Sequence, residues 1–141
     1  MAKDAVKGAN LSKQYGVIPF LEADDCLQVV MIRSRTNGFW IFPKGNPMPG
    51  LSKYETAARE AFEEAGVSGT VIKTPCCKVM ITTKRGQALL TLYPMAVEKI
   101  HRNWPERDAR ERIILPTEAA EKNIAFDSLR TCLRQWKNSY I

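Results

Sequence analysis

The strongest signal in this chain is the segment Arg59-Glu60-Ala61-Phe62-Glu63-Glu64-Ala65-Gly66-Val67, which places three carboxylates within five residues and then a glycine. Side chains three and four residues apart are neighbours on a helix, so the three glutamates share an arc of about 100°. Their repulsion costs roughly 0.2–0.5 kcal/mol per pair, and the last turn of a helix favours cations instead. A divalent cation between them would reverse each of these contributions. The segment therefore predicts a metal site at the end of a helix.

The residues around this segment predict where the helix begins and ends. Ser52 is followed three residues later by Glu55, which is the capping-box pattern, so we assign Glu55 to capping and not to catalysis. Gly66 is placed to end the helix in the left-handed conformation. The predicted apolar stripe of the helix consists of Tyr54, Ala58, Ala61 and Ala65.

Length and composition favour one compact domain. The chain has 141 residues, of which 45% are hydrophobic and 26% charged, as in ordinary globular domains. We expect a flexible N-terminal arm over residues 1–12 and a single domain over residues 13–141. No apolar run is long enough to span a membrane, and the polar start lacks the apolar core of a signal peptide. These features predict a cytoplasmic protein without a membrane partner, in which four cysteines are reduced thiols: Cys26, Cys76, Cys77 and Cys132.

Hydrophobic patterning places strands on both sides of the acidic helix. Strands are predicted over Tyr15–Phe20, Leu27–Arg33, Phe39–Phe42, Lys78–Thr83, Ala88–Val97 and Ile113–Leu115. Residues 98–112 are polar and are predicted as a loop. A brief helix is expected from Thr117, and a final helix capped by Asp127 carries a stripe of core residues, Leu129, Cys132, Leu133, Trp136 and Tyr140.

An oxygen-rich set of carboxylates suits Mg²⁺ or Mn²⁺ better than zinc. Magnesium commonly lies between carboxylates and phosphate oxygens. The chemistry that follows is attack of water on a phosphoanhydride, with a carboxylate activating the water. Basic residues near the helix would neutralise the remaining phosphate charge, and these are Arg33, Arg35, Lys44, Lys84 and Arg85.

Gly45 together with residues 59–67 resembles the Nudix box, which is Gly, five residues, Glu, seven residues, then Arg-Glu-apolar-any-Glu-Glu-any-Gly-apolar. The spacing fits without a gap, and the preceding residues 40–44, Trp-Ile-Phe-Pro-Lys, also resemble the entry into the box. One position departs, because Leu51 stands where the family has its first glutamate. The likeness extends over residues 13–137.

The resemblance implies a Nudix-type α/β/α sandwich with a mixed sheet and the Nudix loop–helix–loop. It also implies a Mg²⁺-dependent hydrolase that cleaves a nucleoside diphosphate linked to another group. Glu60 and Glu64 would be metal ligands, and Glu63 would be a third ligand or the base that activates water. Arg59 would orient Glu60 by an ion pair. A backbone carbonyl at Gly45, or at the residue before it, would complete the metal shell.

The box and its surroundings are most similar to the diadenosine and diphosphoinositol polyphosphate hydrolase branch. The substrate-binding residues that we carry over or place by charge are Arg33, Ser34, Arg35, Lys44 and Arg85. Glu98 is an alternative base, and Trp104 is expected to anchor a loop or to stack on a nucleobase. Arg110 and Arg112 are weaker candidates for phosphate binding, and His101 is expected to be exposed.

Two further hypotheses remain open. A Nudix-fold module that binds a nucleotide or polyphosphate without cleaving it would explain Leu51, which otherwise leaves the efficiency of catalysis undefined. The second hypothesis is RNA binding or RNA 5′-end pyrophosphohydrolysis, which the net charge of +6 suggests because it indicates an anionic partner. No basic–aromatic motif supports nucleic acid binding beyond charge. We therefore expect a small-molecule polyphosphate as the partner. The sequence does not define the oligomeric state.

Overall fold

The computed structural model describes residues 11–140. Residues 1–10 of the predicted arm lie outside the described residues, and Ser12 already belongs to the first strand. The strands are β1 (Ser12–Ala23), β2 (Cys26–Arg33), β3 (Trp40–Ile41), β4 (Lys44–Gly45), β5 (Val67–Val71), β6 (Cys77–Thr83), β7 (Gly86–Ile100) and β8 (Arg112–Pro116). The helices are α1 (Lys53–Ala65), α2 (Thr117–Asn123) and α3 (Asp127–Tyr140).

The strands form one eight-stranded mixed sheet. Its main order is β3-β2-β1-β7-β5, while β4 pairs with β1, β6 with β7 and β8 with β2. Strands β1 and β7 are parallel, and the other pairs are antiparallel. The sheet lies between helices, so the expected α/β/α sandwich is confirmed. Within residues 11–140, every helix is too short or too polar to cross a membrane.

Two-residue turns fix the register of both hairpins. Between β1 and β2, Asp24 and Asp25 have φ angles of 53° and 59°, which matches the turn type whose twist suits a tight hairpin. The β6–β7 hairpin turns at Lys84 and Arg85, since Thr83 pairs with Gly86. Both turns lie between segments that the sequence predicts as strands.

Helix α1 begins and ends as predicted. The Ser52 hydroxyl accepts from the Glu55 amide at 3.1 Å, and the Glu55 carboxylate accepts from the Ser52 amide at 2.8 Å. Gly66 ends the helix at φ 65°. Fully buried alanines, Ala57, Ala61 and Ala65, let the helix approach the sheet closely, whereas the predicted stripe residues Tyr54 and Ala58 are half-buried.

Three details of the predicted secondary structure are wrong. Residues 98–100 continue β7 and are not loop, because they pair with β5, which the sequence analysis missed. Strand β5 has the sequence Val-Ser-Gly-Thr-Val and is short and half-polar, so its pattern is weak. Asp127 is predicted to cap α3 from outside, but it is the first residue of the helix, and its carboxylate forms an ion pair with Arg130.

The expectation of four reduced thiols is also wrong. Cys77 of β6 and Cys132 of α3 form a disulfide across 55 residues of sequence, with their Cα atoms 5.8 Å apart. The fold brings α3 over β6, and sequence spacing carries no information on this contact. Cys26 and Cys76 are free, and burial raises the pKa of the Cys76 thiol to about 12, which makes it unreactive.

Candidate active site

The last turns of α1 hold a buried pair of carboxyl groups. Glu64 is 7% exposed and Glu60 is half-buried, and the two side chains are hydrogen-bonded to each other. Burial, followed by the Glu64 charge and this bond, raises the pKa of Glu60 to about 8. Burial also raises the pKa of Glu64, against the opposing charge of Arg110. In the protein alone, Glu60 therefore holds a proton at neutral pH and donates it to Glu64.

The loop before α1 is pressed against this pair by the sheet. Strand β4 pairs with β1, and the Pro43 carbonyl accepts from the Val17 amide at 3.2 Å. The Lys44 amide donates to Glu64 Oε1 at 3.2 Å. A Cβ atom on Gly45 would lie 1.7 Å from Glu60 Oε2, so only glycine fits beside this carboxyl group without displacing it.

These residues fit a hard divalent cation. Two carboxyl groups and a close backbone segment supply oxygen ligands of the kind that Mg²⁺ prefers. Replacing the shared proton with a cation would offset the burial that chiefly raises the pKa of both carboxyl groups, together with the nearby negative charges. Within residues 11–140, no group of three or more His, Cys, Asp or Glu side chains is arranged to hold a metal ion. The structure thus pairs Glu60 with Glu64 but does not assemble the predicted set of three ligands with Glu63.

Sequence reasoning missed Glu106 and named Arg110 only as a weaker candidate for phosphate binding, but both lie in a loop that completes the site. Arg110 is 13% exposed at its side chain, its Nη2 lies 3.7 Å from Glu64 Oε2, and its Nε bonds Glu106 Oε1 at 2.8 Å. The charge of Glu106 contributes to the raised pKa of both Glu60 and Glu64. Glu106 lies 42 positions after Glu64 in a polar segment. No pattern within a single sequence marks that contact.

The Glu63 side chain is half-buried, and the Glu63 backbone carbonyl accepts from the Glu106 amide at 3.0 Å.

The Lys44 amine donates a hydrogen bond to Gln14 Oε1 at 3.1 Å. Burial lowers the pKa of Lys44, and the Glu64 charge opposes this effect. The Lys44 amine therefore lies within range of the Glu64 charge, at the edge of the acidic pair.

Three of the five predicted substrate-binding residues line two cavities, and Arg35 and Lys44 line neither of them. Arg33 and Ser34 line an open cavity of about 320 Å³ with Arg107 and Arg110, next to the carboxyl pair. Arg85 lines a separate cavity of about 200 Å³ together with Lys84, Gln14 and Asn46.

Two of the predicted arginines are partly engaged by other side chains. The guanidinium of Arg33 lies 4.7 Å from the centre of the Trp40 ring and 3.8 Å from Glu111. Arg35 is exposed, and its Nη1 lies 4.0 Å from Glu106 Oε1. Both therefore sit close to the loop that carries Glu106.

The predicted ion pair between Arg59 and Glu60 is not formed. Arg59 is exposed, and in the described part of the chain no carboxylate lies within 4.0 Å of it. Glu60 is positioned instead by Glu64 and Gly45. Leu51 precedes the helix, whose first residue, Lys53, is about 10 Å along the axis from Glu60 at 1.5 Å per residue. A glutamate at position 51 would therefore brace the loop more readily than bind the same ion.

Three other candidates have structural partners. Glu98 accepts from the Thr70 hydroxyl at 2.7 Å on the exposed β5–β7 edge. A ring nitrogen of His101 lies 2.9 Å from the Ser68 hydroxyl, so the histidine is not simply exposed as predicted. Trp104 anchors its loop, as one of the two predictions has it, because its indole nitrogen donates to the Glu64 carbonyl at 3.2 Å.

Comparison with known proteins agrees with the resemblance predicted from the box. The NUDIX domain matches residues 13–128, and the chain belongs to this family. Nudix hydrolase 13, mitochondrial, from Arabidopsis thaliana is 28% identical over 126 residues, which cover 82% of this chain and 62% of the relative. The chain therefore spans less than two thirds of that relative's length.

Solved structures share the fold at low sequence identity. An Ap4A hydrolase from C. elegans superposes with a TM-score of 0.77 at 16% identity, covering 93% of this chain and 99% of that one. The NUDIX domain of Shewanella oneidensis NrtR, solved in complex with ADP ribose, has a TM-score of 0.71 at 15% identity and covers 98% and 99%. These likenesses define the fold.

Proposed function

We propose that the protein is a Mg²⁺-dependent pyrophosphohydrolase that cleaves a phosphoanhydride bond in a nucleoside polyphosphate or diphosphoinositol-type substrate by water attack. The observation that carries the proposal is the buried Glu60–Glu64 pair, which shares a proton beside the close backbone of Gly45. Family membership supports the reaction class. Mn²⁺ is expected to substitute for Mg²⁺, because both prefer oxygen ligands.

Each part of the site has a distinct task in this reaction. A bound Mg²⁺ would neutralise charge on the phosphate oxygens and would help to activate the attacking water. Glu60 and Glu64 would hold that ion, and a backbone carbonyl at Lys44 or Gly45 would complete the ligand set. Arg110 and Arg33 flank the 320 Å³ cavity, which would take the phosphates that continue beyond the cleaved bond.

Two carboxylates are candidates to accept the proton from the attacking water. Glu63 follows from the box, and Glu106 follows from its proximity to the pair and from its bond to Arg110. An essential base leaves its own pKa in the pH dependence of kcat. The pH dependence of kcat is therefore measured in Glu63→Gln and in Glu106→Gln. The base is the glutamate whose replacement removes the acidic limb of this pH dependence.

A substrate panel tests the proposal. The pure protein is incubated with diadenosine polyphosphates, a diphosphoinositol phosphate, ADP-ribose, nucleotide sugars and nucleoside triphosphates, with Mg²⁺ or with EDTA. We expect turnover only with the cation. In Glu64→Gln we expect the rate to fall at least about 100-fold, which is the typical cost of misplacing a catalytic group. No turnover on any substrate, or an equal rate in Glu64→Gln, would refute the proposal.

A second candidate function is binding of a nucleotide or polyphosphate without cleavage. Leu51 in place of the box glutamate favours it, and a NUDIX domain solved with ADP ribose is among the fold neighbours. This function predicts that a ligand raises the melting temperature while no product forms, and that Leu51→Glu changes neither result. Product formation with any ligand of the panel would exclude it.

A further inference from the structure

The carbonyl end of α1, which carries the acidic pair, has no basic residue in its own last turn. The carbonyl groups there are instead satisfied by the segment 101–112. The His101 amide donates to the Gly66 carbonyl at 2.7 Å, and the Glu106 amide donates to the Glu63 carbonyl at 3.0 Å. Trp104 bonds the Glu64 carbonyl. The helix end is thus closed by one loop from a distant part of the chain.

Arg112 is the centre of this arrangement. Its Nη1 lies 3.1 Å from the Ala65 carbonyl, 3.3 Å from the Gly66 carbonyl and 2.9 Å from the His101 carbonyl. Its guanidinium also stacks over the Trp104 ring, 4.0 Å from the ring centre. The single side chain therefore ties the helix end to both the start of the loop and its tryptophan.

The packing around Arg112 leaves little freedom. A Cβ atom on Gly66 would lie 2.5 Å from Trp104 Cδ2, so the indole ring rests directly on the helix cap. Burial lowers the pKa of Arg112, with the Arg107 charge as the second cause. A half-buried guanidinium in contact with three carbonyl groups places a fixed positive charge at the negative end of the helix.

We propose that Arg112 is a positioning residue that sets the cation affinity of the Glu60–Glu64 pair. Its bonds fix the backbone from which the two carboxylates project, and its charge stabilises the carbonyl end of the helix that carries them. It also fixes the loop that brings Glu106 and Arg110 to the pair. The inference rests on the proposed function only in requiring that this pair binds a divalent cation.

The predicted phosphate-binding role of Arg112 is replaced by this one. Its donors face backbone carbonyls and its flat face covers Trp104, so the guanidinium is committed within the fold. Lysine would keep the charge but not the planar stacking or the several donors in fixed positions. The two contributions can therefore be separated by substitution.

The experiment measures Mn²⁺ affinity directly, from the EPR signal of the free ion, in Arg112→Gln, Arg112→Lys and a control. The control is Arg130→Gln, because Arg130 also bonds backbone carbonyls, at Glu121 and Ile124, but at the α2–α3 junction. Removing a residue that orients metal ligands typically costs about 10–100-fold in affinity. We expect a loss of Mn²⁺ affinity in that range for Arg112→Gln, a smaller loss for Arg112→Lys, and no change for Arg130→Gln. The melting temperature of the control Arg130→Gln should nevertheless fall.

Equal Mn²⁺ affinity in folded Arg112→Gln and in the native protein would overturn the inference. If the glutamine variant does not fold, native affinity in Arg112→Lys would overturn it, and so would an equal loss in Arg130→Gln. The expected pattern of affinities without turnover on any phosphoanhydride would refute the proposed hydrolysis and leave the role of Arg112 intact. No Mn²⁺ binding by the native protein would overturn both.

Discussion

Gly45→Ala is expected to disable the site without unfolding the protein. The new methyl group would lie 1.7 Å from Glu60 Oε2, 2.3 Å from its Cδ and 2.9 Å from its Cγ. Ordinary contact requires about 3.4 Å or more, so the carboxyl group must move by about 1.7 Å. Metal sites tolerate ligand shifts of only about 0.2 Å, and misplacement by about 1 Å costs on the order of 100-fold in rate.

The stability of Gly45→Ala should change little, because the clashing atoms are the end of a flexible side chain. Gly45 does not have a positive φ angle, so alanine is expected to gain about 0.4–1 kcal/mol from the unfolded chain. A side chain forced off its preferred rotamer loses about 0.5–1.5 kcal/mol. The two terms offset each other. We therefore expect kcat/KM to fall about 100-fold, equivalent to about 2.7 kcal/mol, with the free energy of unfolding unchanged within about 1 kcal/mol.

Gly69→Ala is the matched control for this assay. A Cβ atom there would lie 1.9 Å from the Ala96 carbonyl oxygen, which is backbone and cannot swing away. This variant should lose stability in urea unfolding while the folded fraction keeps native Mn²⁺ affinity. Native turnover and native Mn²⁺ affinity in Gly45→Ala would refute the claim that the Gly45 backbone positions Glu60.

Three further predictions follow from the carboxyl pair, the disulfide and the helix start. In EDTA, the contribution of Glu60 to the free energy of unfolding should be greatest below pH 4.5 and should fall as pH rises towards about 8. The reason is that the folded protein retains the proton that the unfolded chain releases near pH 4.5. The melting temperature of Glu60→Gln should therefore depend less on pH than that of the native protein. Reducing the Cys77–Cys132 disulfide, which closes 55 residues, should lower the free energy of unfolding by roughly 2–4 kcal/mol, and a thiol assay of the unreduced, denatured protein should count the free cysteines Cys26 and Cys76 alone. Leu51→Glu should leave Mn²⁺ affinity unchanged within about twofold, because Leu51 precedes a helix whose first residue is about 10 Å along the axis from Glu60. A tenfold gain would contradict this placement.

The local signals in the sequence were sufficient for α1 and its ends. Ser52, Glu55 and Gly66 act through hydrogen bonds to residues within four positions, so a single sequence contains all the necessary information. The spacing of the box also predicted the fold and the family. The contact of the loop at Gly45 with Glu60 and Glu64 could be expected only from the resemblance to that family, because sequence spacing alone does not determine how the loop folds.

The parts that the sequence left out depend on distant contacts. Arg110 and Glu106 reach the acidic pair only because β7 and β8 return the chain to the end of α1. The Cys77–Cys132 disulfide depends in the same way on how α3 packs over β6. Arg59 failed as an orienting residue, because its helical position turns it towards solvent. The catalytic and metal-binding roles of the glutamates stay predictions.

The most direct test of the site is the number of protons released when Mn²⁺ binds at pH 7. Calorimetric titrations in two buffers with different ionisation heats give this number independently of turnover. Because Glu60 holds a proton with a pKa near 8, we expect close to one proton released per ion in the native protein. In Glu64→Gln we expect binding to weaken at least about tenfold. Mn²⁺ binding without proton release, or with native affinity in Glu64→Gln, would contradict the assignment of this pair as the metal site.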